Sequence, residues 1–167
     1  MQRPTTELGS VTLRPLTAKD APFVDALCRE RIGQEFQELL ADAPALGNLV
    51  AMQAHAQDVS YRTQFPGASH SLIQVEGQPI GRLILHSTEE SLHLVDVCIT
   101  NTFRGRGVGT YVMSLLQETA RSLGLPLTLS ARRGSQAERL YQRLGFATTD
   151  AQVLDVAMSW PGEQGAA

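Results

Sequence analysis

The sequence predicts one α/β domain, a mixed and mainly antiparallel twisted sheet of about six to seven strands with about four helices. Three observations lead there. Residues 71–99 hold three successive stretches of period-two alternation separated by short polar turns, the mark of an antiparallel meander. A glycine-rich loop at 104–109 joins the last of them to a segment whose apolar residues recur at helical spacing. Strand and helix patterns then alternate to the end of the chain. The length of 167 residues fits a single domain, and 43% hydrophobic with 19% charged residues excludes general disorder and a fibrous repeat. No apolar run approaches the ~18 residues of a membrane span, and residues 1–7 lack the apolar core of a secretion signal. Two cysteines, Cys28 and Cys98, are too few for a disulfide framework and point to a reducing, cytoplasmic setting. The expected organisation is an N-terminal extension at 1–10, one domain at 11–161 and a polar, frayed tail at 162–167.

Taken in order, Val11-Thr12-Leu13-Arg14-Pro15 alternates and opens the fold as a strand. Asp20 is placed to cap the next helix, since Pro22 is tolerated only in a first turn, and Phe23, Val24, Ala26 and Leu27 give its buried side. Residues 34–65 read as helical, with breaks at Ala43-Pro44-Ala45 and near Gly47 and a second piece from about Asn48 to Gln64. Strands follow at Ser71–Glu76, Gln78–His86 and Ser91–Ile99, with turns at Gly77-Gln78 and Glu89-Glu90. Val108, Tyr111, Val112, Leu115, Leu116 and Leu123 share a helix face that Gly124 and Pro126 end. Leu127–Ala131 is a further strand. Ser135 and Glu138 form a capping box for a helix carrying Ala137, Leu140, Tyr141 and Leu144, closed by Gly145. Strands at Phe146–Thr149 and Val153–Trp160 finish the chain, with Asp150-Ala151-Gln152 between them.

Net charge is −3, which argues against general nucleic-acid binding. Its distribution is uneven. Residues 1–96 carry seven basic and twelve acidic side chains, whereas 97–146 carry seven arginines against Glu118 and Glu138. A basic sector in an acidic protein suits a compact polyanion such as a nucleotide phosphate. A general preference for arginine, in a chain whose one lysine is Lys19, accounts for the sector as well.

The loop between strand and helix reads Arg104-Gly105-Arg106-Gly107-Val108-Gly109-Thr110. Three glycines at alternate positions let successive N–H groups turn inward, and the following helix adds its positive end, which makes an anion cradle. The dinucleotide fingerprint needs a third glycine where Thr110 stands, and the P-loop needs a lysine that is absent. Arg104-x-x-Gly107-x-Gly109 does match the [QR]-x-x-G-x-[GA] loop of the GCN5-related N-acetyltransferases, the GNAT family. A second landmark, Ala137-x-x-Leu140-Tyr141-x-x-x-Gly145-Phe146, stands about thirty residues on. From Val11 to Trp160 the chain therefore resembles that family.

The resemblance implies a GNAT-like sheet and acetyl-coenzyme A as co-substrate, with no metal. It implies that Val97, Cys98 and Ile99 pair with the pantetheine arm and that Arg104–Thr110 hold the pyrophosphate. An amide near Val97–Ile99 would receive the developing oxyanion. The reaction implied is acetyl transfer to a primary amine by direct attack in a ternary complex. The acceptor would be a small molecule or a peptide N-terminus, bound between about Glu30–Phe65 and Asp150–Val156. No nucleic acid or membrane is expected as partner, and a homodimer is compatible. Gly134 stands where many relatives carry a cofactor-binding Asn, so those contacts would either pass to Ser135 or Arg132 or be missing. Arg132 and Arg133 are either contacts for the 3′-phosphate or solvated loop charges.

Tyr141 matches the family's thiolate-protonating tyrosine, a phenol neutral at pH 7 with a pKa near ~10. The alternative is a core aromatic whose hydroxyl bonds to backbone. His93, eleven residues before Arg104, is either the general base or an exposed histidine beside the Glu89-Glu90 turn. Asp96 is the rival base or a structural ion pair, and it lies across a regular strand from His93 unless a bulge re-aims one of them. His55, His70 and His86 read as surface residues without metal spacing. Cys98 reads as strand filling rather than an acyl carrier. Two other readings compete with the enzyme: an acyl-coenzyme A-binding module with weak or no catalysis, and a protein holding another nucleotide on the glycine loop.

Overall fold

A computed structural model describes residues 9–37 and 43–162. Strand β1 spans Val11–Pro15 and leads through a 3-10 turn at Ala18–Asp20 into α1, Ala21–Gln37. Helix α2 covers Ala43–Gln64, followed by β2 (Ser69–Val75), β3 (Gln78–Ser87) and β4 (Leu92–Ile99). After a 3-10 turn at Asn101–Phe103 come α3 (Val108–Leu123), β5 (Leu127–Arg132) and α4 (Gln136–Arg143). Strands β6 (Ala147–Ala151) and β7 (Asp155–Trp160) end the described chain. The seven strands form one sheet in the order β1-β2-β3-β4-β5-β7-β6, in which β4 and β5 are parallel and every other pair antiparallel. This is the mixed, mainly antiparallel sheet with four helices that the patterning predicts.

The helices cover the two faces unequally. Val108, Val112, Met113, Leu116 and Ala120 of α3 are all buried and pack with Leu92, Leu94, Leu127, Leu129 and Tyr141 in the main core. Helices α1 and α2 meet in a smaller cluster of Cys28, Ile32, Val50 and Ala54. Helix α4 is started by Ser135, whose Oγ accepts from the Glu138 amide at 3.1 Å. The Glu138 carboxylate reaches back to the Gly134 amide, one residue earlier than a capping box requires. Gly145 at φ 96° ends the helix, and the Phe146 amide returns to the Tyr141 carbonyl at 3.0 Å. That wrap fixes Tyr141 in the last turn, with its ring 5.6 Å from Phe146.

Several expectations are corrected. Asp20 is not the cap of α1: it ends the 3-10 turn and is 8% exposed. Its carboxylate takes the Thr17 amide at 2.8 Å and both ends of the Arg14 guanidinium, at 2.7 and 2.8 Å. The Arg14 hydrogen bonds, with the Thr17 amide, hold its pKa well below the usual range. Pro44 lies in the first turn of α2, where its missing N–H costs nothing, and Gly47 lies inside the helix. Residues 38–42, between α1 and α2, lie outside the described residues. The β2–β3 turn is Glu76-Gly77, both at positive φ, with Val75 paired to Gln78. The turn of the last hairpin lies two residues later than read, with β6 reaching Ala151 and β7 starting at Asp155. Gly162, assigned to the tail, is buried against Leu125. The rest of that tail, and residues 1–8, lie outside the described residues.

Two glycines should respond oppositely to alanine. A Cβ on Gly81 of β3 would stand 2.5 Å from the Cys98 carbonyl oxygen, whereas one on Gly33 of α1 meets nothing within 4 Å. Gly81→Ala should cost about 1–3 kcal/mol by overpacking against backbone, and Gly33→Ala should add about 0.5–1 kcal/mol. Urea denaturation of both variants checks the signs.

Candidate active site

Strand β4 is regular on neither edge. Against β5 it pairs only at Leu92, His93 and Leu94, opposite Leu127, Thr128 and Leu129. Beyond Leu94 the two strands part, while the other edge of β5 stays paired with β7 from Leu127 to Arg132. Against β3 the register shifts: Leu85 faces Leu94 and Ile84 faces Asp96, so Val95 is a bulge. The bulge changes the phase of the strand. Leu92, Leu94, Val97 and Ile99 all pack on the α3 side, while Asp96 turns to the α1 side with Cys98. His93 also faces the helical hairpin, stacked 5.6 Å from Phe65. The bulge thus brings His93 and Asp96 to one face, against the regular-strand expectation.

Where β4 and β5 part, a cavity of about 280 Å³ opens, bordered by Val97, Cys98, Ile99, Gly109, Arg31 and Tyr141. Tyr141 is 7% exposed. Its hydroxyl has no hydrogen-bond partner among the described residues, so the backbone bond weighed for it is absent. Burial, and then the Asp96 charge, push the phenol pKa up. Burial likewise raises the Cys98 thiol, which stays protonated and buried.

The glycine loop is a cradle in shape. Gly105 and Gly107 have φ of 71° and 83°, and a Cβ on either meets nothing within 4 Å, so the conformation and not crowding calls for glycine. Gly109 has no positive φ, because it already lies in α3. The first helical bond is Tyr111 N–H to Gly107 at 3.0 Å, which leaves the amides of Val108, Gly109 and Thr110 without intrahelical acceptors. Arg104 does not reach outward: Nε donates to the Ile99 carbonyl at 2.9 Å and Nη1 to Gln34 at 3.1 Å. Arg106 lies over the Phe103 ring, 5.5 Å from its centroid. Glu30 takes the Asn101 amide at 3.0 Å, so α1 tethers the loop through two side chains, Glu30 and Gln34.

Comparison with known proteins decides the family. The acetyltransferase (GNAT) family model matches residues 34–146. The chain belongs to the GNAT family. Among solved structures, the fold resembles PaiA N-acetyltransferase from Thermoplasma acidophilum in complex with coenzyme A. The identity is 13% and the TM-score 0.67, over 90% of this chain and 98% of that one. Histone acetyltransferase HPA2 and related acetyltransferase from Corynebacterium glutamicum is 19% identical with a TM-score of 0.67, over 95% and 99%. The ribosomal-protein-S18-alanine N-acetyltransferase from Escherichia coli is 16% identical with a TM-score of 0.62, over 94% and 97%. No curated protein sequence matches the chain.

GNAT enzymes use acetyl-coenzyme A, and the residues present fit it. Three free amides and two left-handed glycines at a helix N-terminus suit a pyrophosphate. The unpaired edge of β4 beyond Leu94 suits an extended amide-bearing arm. Ser135 is occupied as the α4 cap, though its hydroxyl proton remains available. Arg133 donates to the Gln152 carbonyl at 3.2 Å, and Arg139 to the Gly134 carbonyl at 3.0 Å. Among the described residues no group of three His, Cys, Asp or Glu side chains could hold a metal ion.

Neither candidate base borders the cavity with Tyr141. His93 is half-buried, its Nδ1 2.8 Å from the Thr128 hydroxyl, and burial lowers its pKa, so the ring is neutral at pH 7. Asp96 receives Arg31 on one oxygen and Arg82 on the other, each at 2.8 Å. Arg31 also donates to Gln57 at 2.7 Å. Burial works against its charge, and Asp96 more than restores it. Sequence reasoning missed both arginines. A charge at Arg82 inside Ile80–Leu85, and the apolar phase slip at Val95, were the available signals. The histidines read as surface residues are corrected too: only His55 is exposed, and Nδ1 of His70 and of His86 is buried without a partner among the described residues.

Removing Asp96 strands two buried guanidinium groups. Asp96→Ala should therefore cost about 3–5 kcal/mol, the loss typical of a broken buried pair. Chemical denaturation reads it, and a loss under ~1 kcal/mol would show the network to be solvated.

Proposed function

We propose that the protein transfers acetyl from acetyl-coenzyme A to a primary amine, on a small molecule or a peptide N-terminus, by direct attack in a ternary complex. The observation that carries this reading is Tyr141, its hydroxyl without a partner among the described residues, bordering the same cavity as Val97–Ile99 and Gly109 of α3. When bound, acetyl-coenzyme A supplies the activated acyl group as a thioester. The amides of Val108–Thr110 hold its pyrophosphate, and the exposed edge of Val97–Ile99 aligns its arm and offers an amide to the developing oxyanion. Tyr141 Oη holds the proton that the departing thiolate takes up. Its raised pKa keeps that proton in place at neutral pH.

Asp96 we assign to structure rather than to proton acceptance, since both oxygens are engaged by guanidinium groups. Water entering the cavity accepts the amine proton, because His93 borders Phe65 and Thr128 instead. Two free, buried thiols and the absence, among the described residues, of a helix long and apolar enough to cross a membrane support the cytoplasm as the place of action.

Two variants separate binding from chemistry. Gly107→Val forces a β-branched residue to positive φ at the cradle, and should abolish coenzyme A binding in calorimetry while far-UV circular dichroism stays native. Tyr141→Phe should leave the dissociation constant nearly unchanged and lower turnover of an accepted amine by about 10²–10⁴-fold. Turnover within about threefold of wild type would retire Tyr141 as the acid.

The role of water predicts a pH profile. A neutral His93 acting as base would impose a falling limb on kcat/KM below its lowered pKa, and His93→Gln would erase that limb. The expected outcome is that wild type and His93→Gln superimpose between about pH 5 and 8.

A further inference from the structure

A second cavity, of about 470 Å³, lies on the α1–α2 face of the sheet and shares no bordering residue with the cavity at Tyr141. Arg82 of β3 and His70 of β2 border it from the sheet, Val24 and Cys28 from α1, and Ala54 and Asp58 from α2. Arg82 is 1% exposed and has five N–H donors to satisfy. Nη2 donates to Asp96 at 2.8 Å, Nη1 stands 3.9 Å from Asp58, beyond a hydrogen bond, and Nε has no partner among the described residues. Of three buried side-chain atoms without a partner among the described residues, two, Arg82 Nε and His70 Nδ1, belong to residues bordering this cavity. Such groups are costly unless something accepts from them.

A carboxylate answers both, one oxygen for Arg82 Nε–H and the other for the His70 ring N–H. Burial, helped by Arg62 and Arg82, lowers the His70 pKa, so the ring is neutral with one N–H to give. The border is not built for an anion alone, because Asp25 and Asp58 offset Arg62 and Arg82. Asp58 already takes Arg62 Nε on Oδ2 at 3.0 Å, which leaves Oδ1, 3.9 Å from Arg82 Nη1, to accept from a cation, and Val24, Ala54 and Cys28 offer an apolar wall. We propose that this cavity binds a free aliphatic α-amino acid as its zwitterion, carboxylate on Arg82 and His70, ammonium on Asp58, side chain against α1 and α2. The site stands independently of the acyl-transfer reading. It also touches that site, since Arg82 and Arg31 share Asp96 and Arg31 borders the Tyr141 cavity.

Calorimetric titration tests it with L-valine and L-leucine, the matching amines isobutylamine and isoamylamine, and the matching acids isovalerate and 4-methylpentanoate. The expected result is saturable binding of at least one amino acid, weakened about tenfold or more when either charged group is missing. Asp58→Asn and His70→Phe should each lower amino-acid affinity by a similar factor, while Tyr141→Phe leaves it unchanged. Asp58 is partly exposed, so its variant keeps the fold, and the melting temperature checks this. No binding of either amino acid to folded wild type overturns the proposal and leaves a water-filled cavity. So does equal binding of the amines or acids, or binding that both variants retain. Coenzyme A titrated separately shows whether the acyl-donor site is intact, so failure of one site is not mistaken for failure of the other.

Discussion

The Asp96 carboxylate, clasped between Arg31 and Arg82, is the interaction on which the cavity at Tyr141 depends. It joins α1 to β3 and β4 at the level where β4 leaves β5. Three charges with little water around them are costly to assemble, and their mutual attraction and hydrogen bonds must offset that cost. What the arrangement provides is position. Asp96 can face Arg31 only because Val95 is bulged, and the same bulge sends Val97 and Ile99 into the α3 core. A β4 without the bulge would press a carboxylate into Leu92, Leu94 and Leu116. The ion pair and the apolar core therefore select the same register.

From that register the donor side follows. Pairing with β5 stops after three residues, so the far half of β4 leaves the backbone groups of that edge without a strand partner. Helix α1 then holds the parting open from one direction, with Arg31 on Asp96, Glu30 on the Asn101 amide and Gln34 on Arg104. Positions 30, 31 and 34 lie on adjacent sides of one helical turn, so one element fixes both the cavity and the loop beyond it. Arg104 is held inward by Gln34 and Ile99, which makes it a brace for the loop, while the amides at the start of α3 are positioned by backbone. A cradle of this kind needs no side chain to be ordered when the ligand arrives.

The fold was legible because its signals are local. The α3 stripe, the Ser135 cap, Gly124 and Gly145 each act within one turn of helix, and each reads directly from residue type. Strand ends shifted by one or two residues in the last hairpin, where β6 is exposed along its whole length and no apolar alternation marks its end. The site was legible in part. The glycine loop and Tyr141 carry their spacing in the sequence, and Arg31, Arg82, Gln34 and Glu30 do not. Those partners are separated by up to 71 positions from what they hold, and no local pattern records such a pairing. Asp20 misled for a related reason: Asp before a proline-started helix is a good cap, yet Arg14, brought close by the return of the chain, offers a bidentate partner.

Tyr141 ties the two halves of the molecule together. Its position is set by the Gly145 wrap and by Phe146, features of α4 and β6, while its acidity responds to Asp96 on β4. A phenol this buried would ordinarily be satisfied by a backbone carbonyl. Here Tyr141 borders the cavity at the parting of β4 and β5, and the Asp96 carboxylate is already bound to two guanidinium groups. Asp96 therefore raises the phenol's pKa through space without accepting from it. The phenol keeps its proton at neutral pH, at the border of the cavity that opens where the strands separate.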